Sequence, residues 1–223
     1  MKRFWEIDAL RGLAVFAMIL YHLLVDLKLF YYIDIPVFSG TLLVFARLVA
    51  LTFIFLVGTS ASFQQKRRPL STHIKRSLII LFWAFIITIA TYLLFPSEFI
   101  FFGILHLIGT SLLLLIPFLF IKSNLLITLI GFFIISIGIV APSTPSRASL
   151  DYFPLFPWFG IVLIGLVFGR LYPAWRSKFI LNEPEMKFAK ILKFTGRNSL
   201  PFYLLHQPIL IGTLFAIYRI LNL

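Results

Sequence analysis

The stretch EIDALRGLAVFAMILYHLLVD, residues 6–26, decides the fold of this chain. With the apolar residues that continue to position 30, it is long enough to cross a bilayer core of about 30 Å as a helix. It also carries Asp8, Arg11, His22 and Asp26. Because a helix advances about 100° per residue, His22 lies about 20° from Arg11 and each aspartate about 60° from it. Ionisable groups in hydrocarbon cost about 2.5 kcal/mol or more, so this stripe predicts a polar site inside a helix bundle.

The composition of the whole chain agrees with a membrane protein. Its 223 residues are 61% hydrophobic and 13% charged, and the mean hydropathy is +1.02. Soluble domains are about half apolar and about a quarter charged. The sequence contains no cysteine, which excludes disulfides and thiolate metal sites. Four histidines on separate elements give little reason to expect a metal.

Seven apolar runs are long enough to span a bilayer. They predict an all-α, polytopic membrane helix bundle in the cell membrane, with a single domain over residues 1–223. The predicted spans cover residues 10–30, 43–63, 77–95, 99–121, 125–141, 156–172 and 199–221.

The placement of the basic residues predicts the orientation. With the N-terminus inside and the C-terminus outside, 16 of the 20 lysines and arginines fall on the inner side. Such an excess is typical of cytoplasmic loops. It explains the net charge of +12 and argues against nucleic acid as a partner.

The longest inner link contains a predicted surface helix. Residues 182–185 offer a helix start, and Lys187, Lys190 and Lys193 follow among apolar residues. This pattern is typical of a basic helix that lies on the anionic inner leaflet.

Three histidines fall within predicted spans. Counting from the span ends puts His22 and His106 at a similar depth, about 10 Å below the outer surface. Arg47 is placed where it can approach Asp26. His206 shares a face with Tyr203 and Gln207, beside Pro208, which is expected to kink the last span.

Each of these groups also has a structural interpretation. A buried membrane histidine often only bonds one helix to another, and for His206 the structural and catalytic alternatives stay open. Asp8 with Arg11 is equally interpretable as a structural ion pair. His73 stands among lysines and arginines, which predicts a solvated side chain.

Four stretches together resemble a known family: residues 6–14 with Met18 and His22, residues 101–111, residues 153–169 and residues 195–208. They look like the membrane-bound acyltransferases, and in particular like prokaryotic relatives of the heparan-alpha-glucosaminide N-acetyltransferase catalytic domain. A histidine at the position of His22 is found in the broader acyltransferase-3 families.

The resemblance implies transfer of an acetyl group from cytosolic acetyl-CoA to an amine or hydroxyl acceptor on the outer side, such as an amino sugar, a glycan or a lipid headgroup. His22 is then the general base or an acetylated intermediate, with Asp26 orienting its ring and His106 or Tyr203 stabilising the oxyanion. Arginine suits the phosphates of CoA. The expected cofactor-binding residues are Asp8, Arg11, Arg67, Arg68, Arg76, Arg170, Arg197, Asn198, Tyr203 and His206.

Two other classes of function remain as alternatives. One is a small-molecule or proton-coupled permease in which the charged stripe lines a path. The other is a non-catalytic membrane protein in which the same groups are interhelical pairs. The sequence leaves the acceptor, the acyl chain and a homodimer open.

Overall fold

The structure is a computed structural model that describes residues 4–31, 33–65, 69–145, 147–179 and 182–221. Nine α-helices account for most of these residues, and the only strand-like pairing among them is one bridge between Phe102 and Tyr152. The helices are α1 (Trp5–Tyr31), α2 (Gly40–Gln65), α3 (Leu70–Leu94), α4 (Ile104–Leu114), α5 (Ile116–Phe120), α6 (Asn124–Val140), α7 (Leu155–Arg176), α8 (Lys187–Arg197) and α9 (Ser199–Leu221).

Five of the described helices are long and apolar enough to cross a membrane: α1, α2, α3, α7 and α9. The all-helical membrane architecture is confirmed, and the number of seven spans is not. The predicted fourth span divides into α4 and α5 at Leu115, because Pro117 has no N–H to donate to the carbonyl of Leu113. The predicted fifth span, α6, has only 17 residues.

The structure divides the chain into two compact units, and the single domain predicted over residues 1–223 stays a prediction. Unit 1 comprises Met1–Phe53 and Leu181–Leu223, and unit 2 comprises Ile54–Ile180. The boundary falls inside α2 and before α8. In each unit a different set of helices packs together.

Unit 1 is organised by α1, which packs against α8 and α9. The contact with α8 is made backbone to backbone at two glycines. A Cβ on Gly12 would collide with the carbonyl of Leu192, and a Cβ on Gly196 would collide with that of Asp8. Small residues permit such close helix packing in membranes.

The start of α8 differs from the sequence prediction. The helix begins at Lys187, and residues 182–186 are not helical. Pro184 favours an extended conformation for the residue before it, Glu183. The Glu183 carboxylate instead reaches forward to the ammonium of Lys193, which is only 6% exposed.

Unit 2 contains two helix hairpins, α3 with α4 and α6 with α7. Ser77 donates its hydroxyl to the carbonyl of Gly109 between the first two. The carboxy-terminal half of α2 packs on α7, where Thr59 donates to the carbonyl of Gly165 at 3.1 Å. Buried hydroxyls therefore join these helices through backbone carbonyls.

Candidate functional site

A polar cluster lies in unit 1 where α1 meets α9. His22 and Asp26 stand one turn apart on α1 and therefore share a face. From α9, the ring of His206 lies 4.8 Å from that of His22 between centroids. The next residue, Gln207, donates its amide to Asp26 Oδ1 at 2.7 Å. Helical spacing thus brings two imidazoles, a carboxylate and an amide together.

Both imidazoles are held by carbonyls of their own helices. Nδ1 of His22 lies 2.9 Å from the carbonyl of Met18, and Nδ1 of His206 lies 2.6 Å from that of Tyr203. A carbonyl only accepts, so each Nδ1 carries the proton. The neutral rings then present Nε2 as a free lone pair. The sequence predicted that Asp26 would orient His22, and the structure gives this role to Met18.

Three buried polar atoms of the cluster have no hydrogen-bond partner among the described residues: His206 Nε2, Asp26 Oδ2 and Gln207 Oε1. Asp26 is 1% exposed and His206 is 8% exposed. Leaving such atoms unpaired costs about 1–3 kcal/mol each. All three are acceptors in the tautomers described above. The cluster is therefore complementary to a group that offers several N–H or O–H donors.

The predicted approach of Arg47 to Asp26 does not occur within the described residues. Gln207 is the partner of Asp26 instead. The sequence placed Gln207 on the same face as His206 but assigned it no role. The available signal was Asp26 itself: a carboxylate one turn after His22 in a membrane span needs a donor from another helix, and Gln207 supplies it.

A second polar cluster lies near the start of α1. Asp8, 5% exposed, pairs with Arg11 at 3.7 Å and accepts from Nε of Arg197 at 3.0 Å. Arg11 also donates to the carbonyl of Gly196 at 3.3 Å. Asn198 donates its amide to the carbonyl of Phe194 and so caps the end of α8. These contacts attach α8 to α1, about 21 Å along α1 from His22.

His106 lies in unit 2, where both of its ring nitrogens are engaged. Nδ1 accepts the N–H of Gly103 at 3.2 Å, so the proton of the neutral ring is on Nε2. Nε2 faces the hydroxyl of Thr88 at 3.2 Å, and that hydroxyl donates to the carbonyl of Ile100. Asp151 accepts the N–H of Ile104 at 2.9 Å. His106 and Asp151 together hold the start of α4.

Arg170 is also occupied by protein acceptors. Its two terminal nitrogens donate to the carbonyls of Phe118, Leu119 and Ile121 and to the side chain of Asn124. These groups end α5 and begin α6. The geometry makes Arg170 a clamp on this corner of unit 2, whereas the sequence predicted a contact with CoA.

The remaining predicted basic residues have different positions. Arg76 lies half-buried in the second turn of α3, and Arg67 and Arg68 lie outside the described residues.

His73 is 3% exposed, so it is not solvated as the sequence predicted. It precedes Ser77 by one turn, so both side chains occupy the buried face of α3. The four-residue spacing of His73 and Ser77 indicated a shared polar face on α3, but the neighbouring lysines and arginines favoured a solvated loop.

The described residues form five helices able to span a bilayer, and three of these helices carry buried aspartate or histidine side chains, which defines an integral membrane protein. The sequence model of one family, described as heparan-alpha-glucosaminide N-acetyltransferase, catalytic, matches residues 3–208. The chain belongs to this family, which makes it a membrane acyltransferase. No curated protein and no solved structure matches the chain.

The described residues contain no group of three or more histidine, cysteine, aspartate or glutamate side chains that could hold a metal ion. The arrangement on α1 and α9 supplies lone pairs and a carboxylate. Those are the groups needed to bind and deprotonate a nucleophile.

Proposed function

We propose that this protein transfers an acetyl group from cytosolic acetyl-CoA to an amine or hydroxyl acceptor, with His22 as the general base. The observation that carries this proposal is the cluster of His22, Asp26, His206 and Gln207, whose buried unpaired atoms are all acceptors. A family of acetyltransferases supplies the reaction class, and the cluster supplies a base within it.

The chemistry of the cluster favours an amine as the acceptor. An amine or ammonium group offers several N–H donors, which would satisfy Asp26 Oδ2, Gln207 Oε1 and His206 Nε2. The Asp26 carboxylate also favours a cationic form. A hydroxyl offers one donor and would leave two of these atoms unpaired. An amino sugar therefore fits better than a neutral glycan.

The proposed reaction is direct transfer. The bound ammonium first loses one proton to water. The free amine then attacks the thioester carbonyl, a C–N bond forms, and the C–S bond breaks to release the CoA thiolate. His22 Nε2 takes the proton that the nitrogen loses and delivers it to the thiolate. A well-placed general base contributes about 10²–10⁴-fold to the rate. Because it has a free lone pair, His22 Nε2 is also the atom that would be acetylated if the reaction passed through an acetyl-His22 intermediate.

We assign structural roles to His106 and Arg170. We propose that other basic residues bind the phosphates of CoA. Arg197 is the first candidate, because its Nε is bound to Asp8 while its side chain is 42% exposed. No bond from its terminal nitrogens is formed within the described part of the chain. Arg11, Arg76, Arg67 and Arg68 complete the proposed basic set. Tyr203 is the proposed oxyanion donor, since its ring lies 5.6 Å from that of His206.

The proposed topology has seven spans with the N-terminus inside and the C-terminus outside. In this arrangement α4 with α5 forms one span and α6 another, each of about 26 Å. The distribution of lysine and arginine supports the orientation. Because the chain has no cysteine, single introduced cysteines in the loops can be labelled from each side of sealed vesicles to test it.

The function itself is tested with the full chain in nanodiscs, supplied with acetyl-CoA and either glucosamine or glucose. We expect CoA release and N-acetylglucosamine with the first acceptor and a much slower reaction with the second. Equal reaction with both sugars would overturn the preference for an amine. Failure to bind CoA at millimolar concentration would overturn the acetyltransferase proposal.

The permease alternative is retained because the buried His22, His206 and Asp26 are titratable groups inside a membrane helix, as in proton relays. Acetyl transfer without net uptake of the amine into proteoliposomes distinguishes the enzyme. Uptake without acetylation would identify a permease.

A further inference from the structure

The helix α8 presents an apolar face that the described part of unit 1 leaves largely exposed, apart from an edge contact between the rings of Phe194 and Phe202. Phe188, Ile191 and Phe194 are 60%, 52% and 62% exposed. Their spacing of three residues puts them within an arc of about 120° on the helix. The opposite face is the one that packs on α1 through Leu192 and Gly196. The exposed stripe is therefore a second face of a helix already fixed in place.

The dimensions of α8 exclude a membrane span. Eleven residues extend about 16 Å, about half the thickness of the hydrocarbon core. A helix with one apolar face and charged flanks is instead stable along the surface of a bilayer, with its apolar side chains in the acyl boundary.

The charges on the same half of the helix select the kind of lipid. Lys187 and Lys190 are exposed, and the helix itself contains no acidic residue. Lys193, the third lysine of the predicted basic helix, is buried and bound to Glu183. Two ammonium groups therefore remain to meet anionic headgroups, because lysine stems can lie along the apolar stripe while their charges reach the phosphates.

We propose that α8 is a docking surface for anionic phospholipid headgroups, with Phe188, Ile191 and Phe194 inserted below them. The helix is rigidly attached to α1 by the Gly12 and Gly196 contacts and by the Asp8–Arg197 pair. A leaflet bound to α8 consequently braces the first membrane helix. This inference does not depend on the acyltransferase proposal.

The test uses the absence of native cysteine. A single cysteine replaces Ile191 and carries a fluorophore, and the full chain is placed in nanodiscs that contain brominated phosphatidylcholine or, separately, brominated phosphatidylglycerol. Glu185→Cys, exposed and just before the helix, is the matched position. We expect quenching at position 191 by both lipids, more strongly by phosphatidylglycerol, and little quenching at 185.

The lysines are tested in the Ile191→Cys background. Lys187→Gln and Lys190→Gln should each reduce the preference for phosphatidylglycerol over phosphatidylcholine by up to about fivefold. Lys28→Gln removes the same charge about 24 Å along α1 from Gly12 and should leave the preference unchanged.

Three outcomes would overturn the proposal. Equal and weak quenching at positions 191 and 185 would place the stripe in water. Equal quenching by the two lipids would remove the selection for anionic headgroups. Dipolar coupling between spin labels at position 191 of two chains would show that a second copy covers the stripe.

Discussion

The imidazole rings of His22 and His206 meet edge to face, with their centroids 4.8 Å apart and their planes at 68°. They come from the first and the last helices of the described chain. Each ring is fixed by a carbonyl of its own helix, so their contact brings two lone pairs into one buried cluster. Asp26 lies one turn after His22 on α1, and Gln207 directly follows His206 on α9, so both side chains join the same cluster.

Replacing His22 by glutamine removes the proposed base while keeping a polar side chain of similar length. We expect kcat to fall by about 10²–10⁴-fold with little change in the melting temperature. Single-turnover rates and thermal unfolding in the same nanodiscs check both expectations. Activity within a few-fold of wild type would exclude His22 as the base.

His106 should behave in the opposite way. His106→Leu keeps the volume and removes the bonds to Gly103 and Thr88, each worth about 1 kcal/mol. We expect a lower melting temperature and a kcat close to that of wild type once the protein is folded. A variant of normal stability without activity would return His106 to the catalytic set.

Asp26→Asn tests the acceptor subsite without changing its size. The amide can still bond Gln207 but loses the charge that favours an ammonium group. A charge-assisted hydrogen bond contributes about 1.5–3 kcal/mol, so we expect KM for the amine to rise about 10- to 100-fold. KM for acetyl-CoA serves as the internal control and should not change. An equal rise in both constants would indicate a general structural defect.

Gly12→Ala tests the close contact of α1 with α8. The added Cβ would collide with the backbone of Leu192, and overpacking of this kind costs about 1–3 kcal/mol or more. Gly212→Ala is the matched control, because no described atom outside the adjoining backbone of its own helix lies within 4 Å of its Cβ position. Since alanine favours helices, the control should gain about 0.5–1 kcal/mol. Thermal unfolding that moves both variants in the same direction would contradict the contact.

Glu183 gives the attachment of α8 a dependence on pH. The hydrogen bond from Lys193, together with the charges of Lys193 and Arg197, holds the pKa of Glu183 below its usual value. The ionised form is therefore favoured in the folded state. Its stabilisation is complete above the unfolded pKa of about 4.3 and is lost as the pH falls through the folded pKa.

Thermal unfolding of wild type and Glu183→Gln between pH 7 and pH 3 measures this contribution. The wild type should be more stable at neutral pH, and the two curves should converge as the pH falls through the lowered folded pKa of Glu183. A difference that is constant across this range would assign the effect to packing and not to the charge.

Much of the first helix follows from its sequence, because helical periodicity is a local property. The spacing of Asp8, Arg11, His22 and Asp26 puts them on one stripe, and the structure has that stripe against α8 and α9. The last helix follows in the same way, since consecutive His206 and Gln207 reach neighbouring partners on α1.

The sequence could not predict the contacts that depend on distant backbone atoms. Arg170 bonds the carbonyls of Phe118, Leu119 and Ile121, which are available because α5 ends at Phe120. His106 is a similar case, although a glycine three residues before a histidine at a helix start was a local signal of capping. From hydropathy alone, the segments that contain His106 and Arg170 are predicted as continuous apolar spans.

The pairing of α1 with α9 can form only when synthesis has reached the last helix. Ribosomes add about 5–20 residues per second, so roughly ten to forty seconds separate the synthesis of Asp26 from that of Gln207. During this interval Asp26 lacks its amide partner from α9, and His22 lacks its ring contact with His206. Until the last helix is made, placing the Asp26 carboxylate in hydrocarbon costs about 2.5 kcal/mol or more.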